Sequence, residues 1–130
     1  MEPLYTVEGH VIRGKGLGRT MGVPTANLPK PEHGQAVDNG VYVAQVRFAD
    51  EPGRVEPAVL SQGIHPTLPE GEPTVEVYLL DFDENLYGRP IIVEYLHYLR
   101  PELKFDSKDE LRLQMEQDIR DAKAWFQARA

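Results

Sequence analysis

The 130-residue chain sets 14 Lys and Arg against 21 Asp and Glu, a formal charge of −7 at pH 7, and has no cysteine. That balance argues against a general nucleic-acid surface while leaving room for a local cationic pocket, and disulfides and thiolate metal sites are excluded. Eleven Gly and eleven Pro suit short strands joined by many turns, and the length fits one domain, residues 1–130, around a single core.

No apolar run approaches the roughly eighteen residues of a membrane span. The N-terminus "MEPLYTVEGH" lacks both the basic segment and the apolar stretch of a signal peptide. A soluble, cytoplasmic protein without membrane or nucleic-acid partners is expected.

The first predicted strand, "YTVEGHVI" (5–12), puts Val7, Gly9 and Val11 on one face and Glu8 and His10 on the other. A glycine-rich stretch follows, "RGKGLGRTMGVPTAN" (13–27). "GVYVAQVRF" (40–48) groups Tyr42, Ala44, Val46 and Phe48 toward an interior, with Gln45 and Arg47 opposite. "PAVLS" (57–61), "TVEVYLLDF" (74–82) and "RPIIVEYLHYL" (89–99) are the remaining strands. Turns are expected at "DNG" (38–40), "EPG" (51–53), "LPEGEP" (68–73) and "DEN" (83–85). Many strands with tight connections predict an antiparallel sandwich or small barrel over about residues 4–100.

A helix is expected over about 107–128. Ser107 followed by Glu110 is a capping box, in which each side chain satisfies a free backbone N–H. Leu111, Met115, Ile119, Ala122 and Phe126 then recur at helical spacing and form one apolar stripe. The stripe predicts packing against the outside or open end of the barrel.

The glycine-rich stretch is not a Walker A loop, because Arg13 and Arg19 stand where its first glycine and its lysine belong. Nor is it a dinucleotide fingerprint. Pro24 stops a helix from running through, so no helix dipole is aimed at a phosphate. Glycines let a backbone approach an anion and present N–H groups to it, and Arg13, Lys15 and Arg19 add positive charge. Thr25 and Asn27 then offer hard oxygen donors at a spacing of two, on one face of an extended segment. Mg²⁺ takes few protein ligands and completes its shell with water and phosphate oxygens. The residues alone leave two readings open: a turn in which Thr25 and Asn27 bond to backbone, or a Mg–nucleotide site without a P-loop helix.

The stretch "VIRGKGLGRTMGVPTANLP" resembles the signature of riboflavin kinases, including the kinase half of bacterial bifunctional FAD-synthesis proteins. The resemblance continues in order through "GVYVAQV", "GIHPT", "VEVYLLDFDENLYG", "LRPELKFDSKDEL" and "QDI", covering roughly residues 5 to 122. It implies a mainly β fold, a six-stranded antiparallel Greek-key β-barrel with a C-terminal α-helix. The implied reaction moves the γ-phosphoryl of ATP to the 5′-hydroxyl of riboflavin, giving FMN and ADP. The family motif puts Gly14, Gly16, Gly18, Arg19, Gly22, Pro24, Thr25 and Asn27 at the nucleotide phosphates, with Thr25 and Asn27 also at Mg²⁺.

In "TVEVYLLDF", Val75, Val77 and Leu79 alternate with Thr74, Glu76, Tyr78 and Leu80. On the residues alone, Glu76 reads as a solvent-facing strand residue. The resemblance makes it the catalytic base, which orients the acceptor hydroxyl and takes its proton. Arg100 reads either as a contact to flavin or phosphate from a flap, or as a strand-end ion pair. Phe105 closes the flavin pocket or plugs the core. His10, His33, His65 and His97 lack metal-ligand spacing.

The chain departs from the family at "SQGIHPT", where Ser61 and Gln62 replace an Asn and an apolar residue. It also carries no nucleotidyltransferase segment ahead of the barrel, so it is either free-standing or the kinase part of a protein linked to an FMN adenylyltransferase. Two competing readings are a non-catalytic flavin- or nucleotide-binding barrel and a β-barrel assembly module. Thr25, Asn27 and Glu76 together argue against the first, because binding alone needs no base at the hydroxyl.

Overall fold

The computed structural model describes residues 2–10, 25–29, 38–63, 74–80 and 88–129. Period-two alternation sorts the strand side chains onto two faces. On one face, Tyr42, Ala44, Val46 and Phe48 of β3 (Gly40–Phe48) meet Ala58 and Leu60 of β4 (Glu51–Gly63). Val75, Val77 and Leu79 of β5 (Thr74–Leu79) and Ile91, Val93 and Tyr95 of β6 (Pro90–Arg100) complete this cluster. Tyr5 and Val7 of β1 (Tyr5–His10) pack against it. Each of its buried members is exposed by 2% or less, and among the described residues no helix residue belongs to it. A sheet that buries one face without a second layer must curl onto itself.

With β2 (Thr25–Pro29), the sheet order is β1-β6-β3-β4-β5-β2, every pair antiparallel. Among the described residues, β1 and β2 stand at its two edges. Register shifts against β3 leave Leu96 and Leu99 of β6 without a partner across the ladder. Such bulges bend a strand and increase its twist, so β6 supplies part of the curl. The result is a mainly β fold, an antiparallel sheet forming a half-barrel with one C-terminal helix.

The second face is covered by α1 (Lys108–Ala128). Met115 and Ala122, flanked by Leu111, Ile119, Trp125 and Phe126, pack on Val41, Val43, Val59, Tyr78 and Leu80. Burying a side chain such as Met115 contributes roughly 2 kcal/mol. The predicted stripe therefore lies on the outside of the half-barrel. Ser107 is the N-cap, and its hydroxyl accepts from the Glu110 N–H at 3.1 Å. The Glu110 carboxylate in return accepts from the Asp106 N–H at 3.0 Å, one residue upstream of the capping-box position. Among the described residues, no helix is long and apolar enough to cross a membrane.

One expected turn moves. The β3–β4 hairpin turns at Ala49 and Asp50, while Glu51, Pro52 and Gly53 already belong to β4. Phe48 pairs with Glu51 and Arg47 with Val55, so Pro52, Gly53 and Arg54 form an irregularity inside the ladder. Gly53, at φ +92°, supplies its left-handed residue there and not at the turn. The turns expected at 68–73 and 83–85, and residues 11–12 of the first predicted strand, lie outside the described residues.

Candidate active site

The site is built on β5. Because Val75, Val77 and Leu79 face the half-barrel interior, Glu76 and Tyr78 lie on the opposite face, where Tyr78 packs in the cluster that includes α1. Glu76 is only 4% exposed. The plain sequence reading of a solvent-facing residue therefore fails: alternation within β5 separates two faces but does not say what packs on either, and on this face Tyr78 and Leu80 meet a helix distant in sequence.

The ladders on both sides of β5 fix what flanks the carboxylate. Glu76 pairs with Asn27 of β2 on one side and with Ser61 of β4 on the other. Tyr78 pairs with Thr25 and Val59 in the same way. Directly paired residues share a face, so positions 25 and 27 lie beside positions 78 and 76. The two candidate metal-ligand positions and the candidate base are thus neighbours across one ladder. Gly14, Gly16, Gly18, Arg19, Gly22 and Pro24 lie outside the described residues.

Tyr78 donates its hydroxyl hydrogen to the Glu76 carboxylate Oε2. Burial, with the Glu76 charge next in size, pushes the Tyr78 hydroxyl well above the ordinary tyrosine range. It therefore remains protonated, a fixed donor to a buried acceptor. Asp118 raises it further and Arg100 lowers it, so both charges act on this hydroxyl.

Arg100, the last residue of β6, makes a two-pronged ion pair with Asp118 of α1. Its Nε donates to Oδ1 at 2.9 Å and its Nη2 to Oδ2 at 2.7 Å. Asp118 is 3% exposed and also accepts from Gln114 Nε2 at 3.0 Å. A charge so buried is tolerated because it is paired and hydrogen-bonded. Arg100 Nη1 donates to the Pro101 carbonyl at 3.0 Å, and its guanidinium lies 6.0 Å from the centre of the half-buried Phe105 ring. Arg100 and Phe105 are therefore brought together, with Arg100 in the ion pair that was one of its two sequence readings.

The two departures from the family pattern part company in space. Ser61 stands opposite Glu76. Gln62 is 2% exposed, in register with Val75 and Gly40 on the interior face. There it accepts from the Tyr95 hydroxyl at 2.7 Å and donates to Asn39 Oδ1 at 3.5 Å, so a polar side chain is tolerated where an apolar one is usual.

Tyr78 and Asp118 were missed in the sequence. Both left a signal: Tyr78 is two residues from Glu76 on one strand, and Asp118 is a charge beside Ile119 and three residues after Met115, at the margin of an apolar stripe. Among the described residues no cluster of His, Cys, Asp or Glu suits a metal ion. The hydroxyl and amide oxygens of Thr25 and Asn27 are nevertheless the hard donors that Mg²⁺ accepts when phosphates supply the rest of its shell.

The family model for riboflavin kinase (Flavokinase) matches residues 1–126. A bifunctional riboflavin kinase/FMN adenylyltransferase of Haemophilus influenzae is 40% identical over 122 residues, covering 94% of this chain and 39% of that protein. The chain thus spans about two fifths of that relative's length. A crystal structure described as a macrolide-efflux protein from Streptococcus pneumoniae superposes with a TM-score of 0.76 at 34% identity, over 95% of this chain and 39% of that one. Riboflavin kinase from Trypanosoma brucei superposes with a TM-score of 0.63 at 23% identity, over 94% of this chain and 79% of that one, a likeness of fold.

Proposed function

The chain belongs to the riboflavin kinase family, and we propose that it transfers the γ-phosphoryl group of ATP to the 5′-hydroxyl of riboflavin, giving FMN and ADP. The observation that carries this is the ladder pairing of Asn27 with the buried Glu76, which supports a phosphate-metal site next to a base. Phosphoryl transfer needs alignment and charge neutralisation more than covalent help from the protein. Glu76 orients the acceptor hydroxyl and takes its proton as the new P–O bond forms and the bond to ADP breaks.

Thr25 and Asn27 would hold Mg²⁺, which neutralises charge on the phosphates when bound. Gly14, Gly16, Gly18, Arg19, Gly22 and Pro24, which the family motif puts at the nucleotide, would bring glycine backbone N–H groups and a cation to the same phosphates. Arg100 and Phe105 form one edge of the flavin site, with Arg100 held in place by Asp118. The family match over residues 1–126 supports treating the chain as one kinase domain, in which the half-barrel closes as a six-stranded Greek-key barrel. The need for ATP supports a cytoplasmic location.

Incubation with riboflavin, ATP and Mg²⁺, followed by chromatographic separation of flavins, is the test. FMN is expected. Quenching of riboflavin fluorescence without FMN would instead mark a non-catalytic flavin-binding barrel, and absence of both would leave only the fold.

A further inference from the structure

A glutamate carboxylate is poorly fixed by its own chain. Its terminal torsion joins sp³ and sp² carbons and has a broad, shallow minimum. A base that must meet one hydroxyl in one direction therefore needs an outside hold on its rotation, because small misplacements of reacting groups cost large factors in rate. In this protein the hold is visible. Tyr78 stands two residues after Glu76 on the same face of β5 and donates to Oε2 of its carboxylate. The Tyr78 ring is itself immobilised, buried at 6% exposure in the cluster of Val41, Val43, Val59, Leu80 and Met115.

We infer that Tyr78 is a positioning residue for the kinase reaction, its hydroxyl pinning the Glu76 carboxylate in the orientation that meets the acceptor hydroxyl. This rests on the assignment of Glu76 as the base. Tyr78 touches neither substrate nor phosphate in this role; it acts through Glu76. The aromatic ring supplies packing against α1 and the hydroxyl supplies direction, so Phe at position 78 separates the two contributions.

The experiment is steady-state FMN formation by Tyr78→Phe, made in the natural chain and again in Glu76→Gln, with riboflavin, ATP and Mg²⁺ varied. In the natural background kcat falls about tenfold, the scale of one hydrogen bond to a charged group. KM for both substrates stays within about twofold, since binding is untouched. In Glu76→Gln the same substitution changes the residual rate by less than about twofold, because the carboxylate it acts through is gone. An unchanged kcat in the natural background, or an equal loss in both backgrounds, would overturn the inference. So would loss of riboflavin quenching by Tyr78→Phe, which would assign the hydroxyl to holding the fold. Failure of the underlying assignment looks different: Glu76→Gln alone then turns over normally.

Discussion

Replacing Asp118 by Ala removes the acceptor for the 2.9 and 2.7 Å hydrogen bonds from Arg100 and for the 3.0 Å bond from Gln114. It also strands a guanidinium whose side chain is 16% exposed. Breaking a buried pair by deleting one partner costs about 3–5 kcal/mol, most of it the penalty for the charge left behind. Arg100 keeps its contact to the Pro101 carbonyl and some access to water, which places the loss near the lower end, about 3 kcal/mol. Unfolding entropy of about 2.1 cal/mol/K per residue converts that loss, for a chain of this length, into a fall in Tm of roughly 11 °C. Thermal unfolding followed by circular dichroism reads it directly, and urea unfolding at constant m shows that native compactness is retained. Arg100→Met combined with Asp118→Leu replaces the pair by apolar groups and is expected to recover most of the stability. A Tm for Asp118→Ala within about 2 °C of the natural chain would refute the reasoning, since it would mean that the pair is solvated.

Two further outcomes are expected. The Tyr42 hydroxyl is pushed up to about 12, chiefly by burial and then by the Asp38 charge and by Tyr98, whereas an unfolded tyrosine titrates near about 10. The unfolded chain releases this proton first as pH rises, so the stabilisation is complete below about pH 10 and is lost progressively toward about pH 12. Tyr78 and Tyr95, also raised by burial, act in the same direction. The urea midpoint should therefore fall as pH rises from about 10 toward about 12, less steeply in Tyr42→Phe, and a flat or rising midpoint would contradict this. Asn27→Ala, which deletes one proposed metal donor, should raise KM for Mg–ATP about tenfold and leave riboflavin quenching unchanged; unchanged KM would remove Asn27 from the nucleotide site.

Much of the fold was readable because it depends on local periodicity. The alternation of Val75, Val77 and Leu79 with Glu76 and Tyr78 separated the two faces of β5, and the interior cluster holds Val75, Val77 and Leu79 as expected. The Ser107 cap and the spacing of Met115, Ile119 and Ala122 placed α1 and its buried stripe. What failed depended on pairing between distant segments. Pro52 and Gly53 carry ordinary turn chemistry, yet the register of β3 on β4 puts the turn at Ala49 and Asp50 and assigns Gly53 to a bulge. Glu76 looked exposed because alternation within its strand does not reveal that both of its faces are buried. The Arg100–Asp118 pair spans 18 positions, so neither residue announces its partner locally. The neighbourhood of Asn27, Glu76 and Ser61 joins three strands and emerges only from the ladder.

The central claim is that Glu76 is the base of a flavin-phosphorylating site. Single-turnover formation of FMN, measured for the natural chain and for Glu76→Gln at saturating riboflavin and Mg–ATP, tests it most directly. The variant should bind riboflavin with the same quenching and form FMN about 10²- to 10⁴-fold more slowly, the range for loss of general base catalysis. Equal rates in the two proteins would contradict the claim.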